Sequence, residues 1–278
     1  MALWPEGVRC CAVLSFDLDA DLFWSVWLNG KPTLLDRSQG EYGPRVGLPR
    51  ILAMLARQNL EATFFVPGRI AERYPDAVRA IFEAGHEIAH HGYNHEDFSK
   101  LSATEQREVL AKGAQALKAV TGRAPRGTRL IPGEDTAAIL HQAGYLYASI
   151  MMDAEMPYRH VIDGKASDLI ELPTTFALND SSCFAYSFGL AKPLLTPGIV
   201  EAMYLEEFEA EYQERGFCMF MLHPQLIGRP GRLRMLERVV NHMKSRGDVL
   251  FTTAEKVAER CRQVLPRDGV REAARNRN

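Results

Sequence analysis

The sequence predicts an α/β protein in which short strands alternate with longer helices within a single domain. Short apolar runs alternate with amphipathic runs almost from end to end of the 278 residues, and 46% of the residues are hydrophobic, enough for a large core. No internal repeat and no Ser- or Gly-rich linker divides the chain. About seven to eight strands in this alternation indicate right-handed βαβ units and a parallel sheet, either closed as a barrel or open and doubly wound. We favour the barrel.

Local signals place each element in order. The predicted strands are short apolar runs, at residues 13–16, 62–66, 87–90, 127–130, 146–150, 169–172, 217–222 and 249–251. The predicted helices show amphipathic periodicity, at residues 46–57, 76–84, 103–121, 136–142, 200–214, 231–246 and 253–261. In "LSATEQ", Ser102 stands three positions before Glu105, which is the spacing of a capping box. Glycines stand where helices should stop, at Gly85, Gly122, Gly144, Gly216 and Gly247.

Two segments fall outside the alternation. Residues 23–45 are rich in Gly, Pro and aromatic residues and follow the first strand directly. Long loops at the carboxyl ends of parallel strands commonly build active sites, so we expect a lid, a substrate wall or a subunit interface there. The polar tail, residues 266–278, is predicted to be disordered, which leaves residues 1–265 as the folded domain.

Composition narrows the classes of partner. A formal net charge of −2 leaves no basic excess to neutralise nucleic acid or an anionic membrane, and no apolar run reaches the roughly 18 residues that span a bilayer. The first residues show no basic leader followed by an unbroken apolar stretch, so we expect no secretory signal. The five cysteines form no CxxC pair. We therefore expect a reduced, cytoplasmic protein.

The stretch "LSFDLDAD" places Asp17, Asp19 and Asp21 at alternate positions behind an apolar run. Alternate residues of a strand point to the same face, so three carboxylates would repel one another. A bound divalent cation favours the ionised form of a neighbouring carboxylate and would remove much of that repulsion. The alternative is a solvated turn with a helix cap.

Further polar residues end the other apolar runs. Because ligands gather at the carboxyl ends of parallel strands, we expect these residues to share one rim. Two imidazoles and a carboxylate suit Zn²⁺ or a similar divalent ion and leave positions open for water and substrate. The residues are His90, His91, His95, Arg129, Glu134, Asp153, Asp180 and His223.

These motifs resemble those of the polysaccharide deacetylases of carbohydrate esterase family 4. "FDLDAD" resembles the family's first motif, a carboxylate base close to a metal-binding aspartate, while "HGYNH" and "MLHP" resemble its His-x-x-x-His and late histidine motifs. The stretches "YGPRVGLPRIL" and "LHPQLIGRPGR" resemble a cytoplasmic branch that includes the Helicobacter peptidoglycan deacetylase-like protein, cyclic imide hydrolases and, more distantly, metal-independent allantoinases. The resemblance covers nearly the whole chain.

The resemblance implies a distorted (β/α) barrel of about seven parallel strands and a metal-dependent hydrolysis of C–N bonds in amides, N-acetyl groups or cyclic imides. It assigns Asp19, His91 and His95 as ligands of a divalent metal, with Zn²⁺ expected and Co²⁺, Mn²⁺ or Ni²⁺ as alternatives. It also makes residues 1–265 the catalytic domain.

The same resemblance assigns the acid–base residues, and at one motif this sequence departs from the family pattern. It makes Asp17 the general base, His223 the general acid and Arg129 the residue that orients the base. In "GTRLIPGEDT", however, Ile131 replaces the family's proline and Gly133 stands where relatives often carry Trp. We therefore expect a smaller and more flexible loop wall at this point.

Several side chains are weaker candidates for substrate binding, with helix caps, turns or core packing as the alternatives: Glu134, Asp153, Asp180, Arg229, Trp24, Trp27 and Tyr42. The expected partner is a small cytoplasmic molecule rather than a cell-wall polymer, and a homo-oligomer, dimer or tetramer, is expected because relatives of this branch often assemble. The rival hypotheses are a metal-independent, allantoinase-like ring hydrolase and an inactive binding or scaffold protein with the same fold.

Overall fold

Nine strands form one sheet in the computed structural model, which describes residues 3–28, 30–190 and 192–267. The strands are β1 (Cys10–Asp17), β2 (Thr63–Val66), β3 (Glu87–His90), β4 (Gly127–Thr128), β5 (Tyr147–Ala148), β6 (Tyr158–Ile162), β7 (Lys165–Glu171), β8 (Phe217–Leu222) and β9 (Val249–Phe251). Their order is β6-β7-β5-β4-β3-β2-β1-β8, and β9 pairs with β1. Only the β6–β7 pairing is antiparallel among the described strands. The predicted single-domain α/β fold with a curled parallel sheet is confirmed.

The barrel is open, because β6 occupies the edge at which the sheet would close. A turn at Asp163 and Gly164, with φ values of 51° and 74°, folds β6 back along β7. Both residues occupy the left-handed region that a two-residue hairpin turn requires, and the Asp-Gly pair is a strong hairpin signal that the sequence prediction of strands passed over. Between β7 and β8 there is only an isolated bridge, from Asn179 to Met221, in the described residues. The sheet is therefore a half-barrel.

Helices cover the sheet between the strands. They are α1 (Leu22–Trp27), α2 (Leu34–Tyr42), α3 (Leu48–Gln58), α4 (Gly68–Arg73), α5 (Pro75–Glu83), α6 (Ala103–Thr121), α7 (Thr136–Gln142), α8 (Asp180–Phe184), α9 (Pro197–Glu214), α10 (Pro224–Ile227), α11 (Pro230–Ser245) and α12 (Ala254–Val264). The predicted capping box is present, since the Ser102 hydroxyl accepts from the Glu105 N–H and the Glu105 carboxylate accepts from the Ser102 N–H. None of the described helices is long and apolar enough to cross a membrane.

The segment predicted as a long loop, residues 23–45, is instead mostly helical. It contains α1, α2 and a single π-helical turn, Gly43–Gly47. Helix α2 begins with a capping box between Thr33 and Asp36, the local signal that the sequence analysis missed. Gly40 lies directly on the Asp21 backbone, where a Cβ would come within 2.4 Å of the Asp21 Cα, so this helix is packed against the end of β1. The described part of the segment is therefore mostly helical and packs against the end of β1, in contrast to the predicted long loop.

Two buried layers hold the sheet and its helices together. Every residue of β1 is buried, with side chains such as Phe16 on one face and Val13 on the other. A strand covered on both faces reads as a continuous apolar run, which is why β1 was recognisable in the sequence. The part of the predicted disordered tail that follows Arg267 lies outside the described residues. Because β1, β2, β3 and β8 are parallel neighbours, their carboxyl ends share one edge, where the polar residues collect.

Candidate active site

The end of β1 separates the three aspartates of "FDLDAD". Asp17 is the last residue of β1 and Asp19 follows two positions later, and both side chains are buried, with 2% and 0% of their surface exposed. The chain then turns at Ala20, whose φ is 51°, and the Asp21 carboxylate accepts a hydrogen bond from Arg73 at 2.6 Å instead. Only two of the three carboxylates therefore belong to the site, and Asp21 ties the turn to α4.

Asp19, His91 and His95 form a compact triad. One ligand atom from each lies within 4.8 Å of the others, with His91 Nε2 at 3.3 Å from Asp19 Oδ1 and His95 Nε2 at 3.8 Å from Asp19 Oδ2. His91 directly follows β3, and left-handed backbone at Gly92 and His95 turns the second histidine back towards the first. The short loop after β3 thus places both imidazoles against the aspartate that follows β1.

The unsatisfied atoms of this triad fit a divalent cation. Both Asp19 oxygens and His91 Nε2 are buried and have no hydrogen-bond partner among the described residues, a costly arrangement for protein groups unless another group binds there. His91 Nδ1 lies 2.5 Å from the Arg129 carbonyl oxygen, which can only accept, so Nδ1 carries the proton and the Nε2 lone pair faces the triad. Three protein ligands leave positions open for water and substrate, as in catalytic metal sites.

The charges of the triad support one another. Burial alone would raise the pKa of the Asp19 carboxyl, but the neighbouring His95 and His91 outweigh burial and hold that pKa well below its usual range. Burial lowers the pKa of His91, whereas Asp19 and Asp17 raise it, and the net direction is upward. For His95, burial dominates and the pKa is lowered. The carboxylate is therefore held ionised, as a metal ligand must be.

The Asp17 carboxylate is held at one oxygen and directed towards the triad with the other. Arg129 Nη1 donates to Asp17 Oδ1 at 2.6 Å. Asp17 Oδ2 lies 3.9 Å from His91 Nε2 and 3.8 Å from His223 Nε2. An ionised carboxylate with one oxygen anchored by a guanidinium has its second oxygen available to accept a proton.

Arg129 is itself fixed by groups that the sequence analysis did not single out. Its guanidinium donates to Ser15 Oγ at 3.0 Å and to Ser149 Oγ at 3.2 Å, and its Cζ lies 4.2 Å from the centroid of the Phe65 ring. Ser15 stands two residues before Asp17 on β1, so strand periodicity could have revealed that it shares the face of the base. Ser149, 20 positions from Arg129, gave no local signal.

His223 follows β8 and is oriented by Asp180. Its Nδ1 lies 2.6 Å from Asp180 Oδ1, and its backbone N–H donates to Asp180 Oδ2 at 3.0 Å. His223 Nε2 faces the pocket, 3.6 Å from Asp19 Oδ2. Burial lowers the pKa of His223, but Asp180 first, and then Asp17 and Asp19, raise it to about 9, so this imidazole is protonated at neutral pH. Such a group can donate a proton from Nε2.

The weaker candidates for substrate binding lie in different surroundings in the structure. Asp180 was predicted to contact substrate but binds the His223 imidazole instead, and Trp24, predicted as an aromatic wall, is completely buried in the core against Phe23. Asp153 is exposed and accepts a hydrogen bond from Tyr158 at 2.7 Å, where it supports the β6 hairpin. The Trp24 ring lies in α1 and is buried, because a large apolar ring on a short helix after β1 can pack into the core as readily as it can line a pocket.

The remaining candidates lie around the rim. Glu134 is exposed and makes no hydrogen bond or ion pair within the described part of the chain, so the structure does not bring it to the triad. Tyr42 and Arg229 stack on each other, with 3.7 Å between the Arg229 Cζ and the ring centroid. The Trp27 side chain lies outside the described part.

The loop with Ile131 and Gly133 is tied down rather than flexible. The Gly133 N–H donates to Thr136 Oγ1 at 2.8 Å, and a Cβ on Gly133 would come within 2.8 Å of the Phe98 carbonyl oxygen. No larger side chain fits there without a backbone shift, so the absence of the family's Trp is compensated by close packing. Ile131 is 36% exposed at the rim.

Comparisons with known proteins find relatives that are similar in sequence and in fold. The polysaccharide deacetylase family model matches residues 41–148. A solved structure from Mycobacterium smegmatis, named for the polysaccharide deacetylases, is 34% identical and superposes with a TM-score of 0.87 over 96% of each chain. The peptidoglycan deacetylase of Helicobacter pylori is 28% identical over 277 residues, covering 87% of this chain and 93% of that protein. The solved Puue allantoinase is 25% identical, with a TM-score of 0.84 over 95% of this chain and 93% of its own.

Proposed function

This chain belongs to the polysaccharide deacetylase family, and from that membership we propose that it hydrolyses a C–N bond of a small molecule, an N-acyl amine or a cyclic imide, with the help of a divalent cation. Its relatives are named as deacetylases, so the protein is a hydrolase of carbon–nitrogen bonds. The site must support two further parts of this proposal: that the cation is Zn²⁺ and that the substrate is small.

One observation carries the proposal. A base, a ligand triad and an acid, drawn from segments more than 200 residues apart in sequence, meet in one buried pocket, with Asp17 Oδ2 and His223 Nε2 3.8 Å apart and both beside Asp19. When bound by Asp19, His91 and His95, a divalent cation supplies a Lewis acid for the scissile carbonyl and for the attacking water. The chain itself supplies the proton transfers.

The two proton transfers follow from the hydrogen bonds. Because Arg129 occupies Asp17 Oδ1, the Oδ2 atom is available to take a proton from the attacking water. His223 gives its Nε2 proton to the leaving nitrogen, while Asp180 stabilises the ring through Nδ1. Each turnover leaves Asp17 protonated and His223 neutral, and the 3.8 Å between Oδ2 and Nε2 is short enough for one water to return the proton.

The depth of the pocket supports a small substrate. The side chains of the base, the acid and the triad are between 0% and 12% exposed, so the reacting centre is largely enclosed by the protein, which supports a small substrate. All five cysteines are buried and free, which supports the proposed cytoplasmic location. A small N-acyl amine or cyclic imide in the cytoplasm would match both features.

A second candidate is a metal-independent ring hydrolase, which the likeness to an allantoinase structure favours. We rank it lower because both Asp19 oxygens and His91 Nε2 have no hydrogen-bond partner in the described residues. A bound cation would satisfy these atoms, whereas a metal-independent enzyme would leave them unsatisfied. An inactive scaffold with this fold is third, since the base, its arginine and the acid are all present and mutually oriented.

The test combines metal analysis with a substrate screen. The purified protein should contain about one divalent ion per chain and should hydrolyse hydantoins, cyclic imides or N-acyl amines faster than chitin oligosaccharides or peptidoglycan. Asp17→Asn should remove activity while metal content stays, and Asp21→Asn is the matched control because its carboxylate belongs to the same motif but pairs with Arg73. Activity that survives metal removal would favour the ring hydrolase, and no metal with no hydrolysis would favour the scaffold.

A further inference from the structure

Three arginines lie near Tyr42, at the start of α3 and α11, and two of them contact its side chain. The Arg229 Cζ lies 3.7 Å from the centroid of the Tyr42 ring, and Arg50 Nη1 donates to the Tyr42 hydroxyl at 2.6 Å. That hydroxyl in turn donates to the Gly228 carbonyl at 3.2 Å. Two guanidinium groups therefore contact the same phenol.

The third arginine, Arg232, continues this cluster towards the acid of the active site. Its Cζ lies 4.3 Å from the centroid of the Phe184 ring, and its Nη1 donates to the Leu226 carbonyl at 3.1 Å. Burial raises the pKa of the Asp180 carboxyl overall, and the charges of His223 first and then of Arg232 act against that rise, so Arg232 lies close enough to interact electrostatically with Asp180. The cluster thus adjoins the Asp180–His223 pair without contacting the triad.

Positive charge in this cluster is not balanced by protein carboxylates. Within the described residues, no carboxylate lies within 4.0 Å of the guanidinium groups of Arg50, Arg229 or Arg232. Two acids of this region already have partners: Glu41, next to Tyr42 in sequence, pairs with Arg45 and Arg73, and Asp180 pairs with His223. Burial and the charge of Arg229 both act to lower the pKa of Arg232. Half-buried arginines that repel one another are stable when an anion joins them.

A buried amide in the same place also lacks partners. Gln225 packs against Gly43, the residue after Tyr42, and both its Oε1 and Nε2 atoms are without a hydrogen-bond partner in the described part of the chain. Guanidinium groups without a carboxylate partner and a buried amide without a hydrogen-bond partner therefore lie in the same part of the fold.

We propose that Arg50, Arg229 and Arg232 form a binding site for an oxyanion, a carboxylate or phosphate group, beside Tyr42. A guanidinium presents planar, paired N–H donors that match the oxygens of such groups, and stacking on an aromatic ring fixes its plane while its edge stays available. The anion balances the three charges that the chain leaves unpaired. This site goes beyond the hydrolysis proposed above and does not depend on it.

The experiment is a titration of the purified protein with inorganic phosphate by calorimetry, with sodium chloride at matched ionic strength as the reference. The wild-type protein should bind phosphate, and Arg229→Gln and Arg50→Gln should each weaken that binding by about tenfold or more, the effect of losing a charge-assisted hydrogen bond. Arg45→Gln is the matched control, because Arg45 is exposed, lies close in sequence and already pairs with Glu41. Arg50 is exposed and Arg229 is half-buried, and circular dichroism checks that both variants fold.

Two results would overturn the site: phosphate binding no stronger than chloride in the wild type, or equal phosphate affinity in the wild type and both variants. A kinetic arm then identifies the source of the anion, using a substrate from the screen in carboxylate and neutral amide forms. If the substrate carries the anion, Arg229→Gln raises KM about tenfold for the carboxylate form only, whereas a free anion leaves both KM values unchanged. Since phosphate binding needs no turnover, its failure leaves the hydrolase proposal intact, and inactivity of Asp17→Asn leaves the anion site intact.

Discussion

Replacing Arg129 by methionine is the sharpest test of how the base is held. The substitution removes the donors to Asp17, Ser15 and Ser149 at 2.6, 3.0 and 3.2 Å, and it leaves the Asp17 carboxylate, 2% exposed, without its counter-charge. Breaking a buried pair in this way costs about 3–5 kcal/mol, because the remaining charge stays desolvated. At about 2–4 °C per kcal/mol for a chain of this size, the midpoint of thermal unfolding should fall by about 6–20 °C.

A double-mutant cycle measured by thermal and urea unfolding separates this cause from a packing defect. Arg129→Met combined with Asp17→Asn removes the orphaned charge, so the double variant should be more stable than Arg129→Met alone although it carries one more substitution. Ser149→Ala, which removes one weaker hydrogen bond, is the control and should cost about 1 kcal/mol. The reasoning fails if Arg129→Met stays within about 1 kcal/mol of the wild type, or if the double variant is the less stable of the two.

Three further predictions concern the metal, the pH dependence of stability and assembly. Asp19→Asn should weaken divalent-metal binding at least about 100-fold by equilibrium dialysis, whereas Asp21→Asn should leave it unchanged; equal affinities would remove Asp19 from the ligand set. Burial raises the pKa of Glu87 to about 7, so the folded protein keeps a proton that the unfolded chain has already released. Glu87 should therefore make stability fall as pH rises from about 4.5 to 7, by at most about 3 kcal/mol, and the slope should be smaller by this contribution in Glu87→Gln when unfolding is followed across that range. The expected homo-oligomer should bury the exposed apolar side chains Leu34 and Phe188, which are 76% and 84% exposed, so Phe188→Ser should lower the mass measured by light scattering, and an unchanged mass would place the interface elsewhere.

Local sequence signals predicted most of the elements well, because strands and helices depend on short-range geometry. A buried strand gives a short apolar run, and a helix that buries one face gives an amphipathic run. The alternation of these two patterns predicted the confirmed α/β fold. Asp17 and Asp19, like His91 and His95, are neighbours in sequence, so their grouping follows from one strand end and one short loop. The resemblance to known motifs then supplied the chemistry.

Errors arose where local signals were read too loosely or where packing made the decision. The capping box of α2 and the Asp-Gly hairpin before β7 were present in the sequence, yet the first segment was predicted to be a loop and β6 was not predicted. Trp24 was assigned to a pocket, although nothing local distinguishes a core ring from a pocket ring.

The sequence by itself determined the succession of strands and helices, the pair of aspartates after β1 and the histidines after β3, because each of these rests on contacts between residues a few positions apart. Only the tertiary structure decided that β6 leaves the barrel open, that Asp180 orients His223 across 43 residues, and that Ser149 supports Arg129. Those contacts join segments whose approach depends on how the whole sheet curls, and the free energy that selects that curl is spread over the entire core. The unpaired arginines around Tyr42 belong to the same class, since they become neighbours only when α3 and α11 pack side by side with the end of α2.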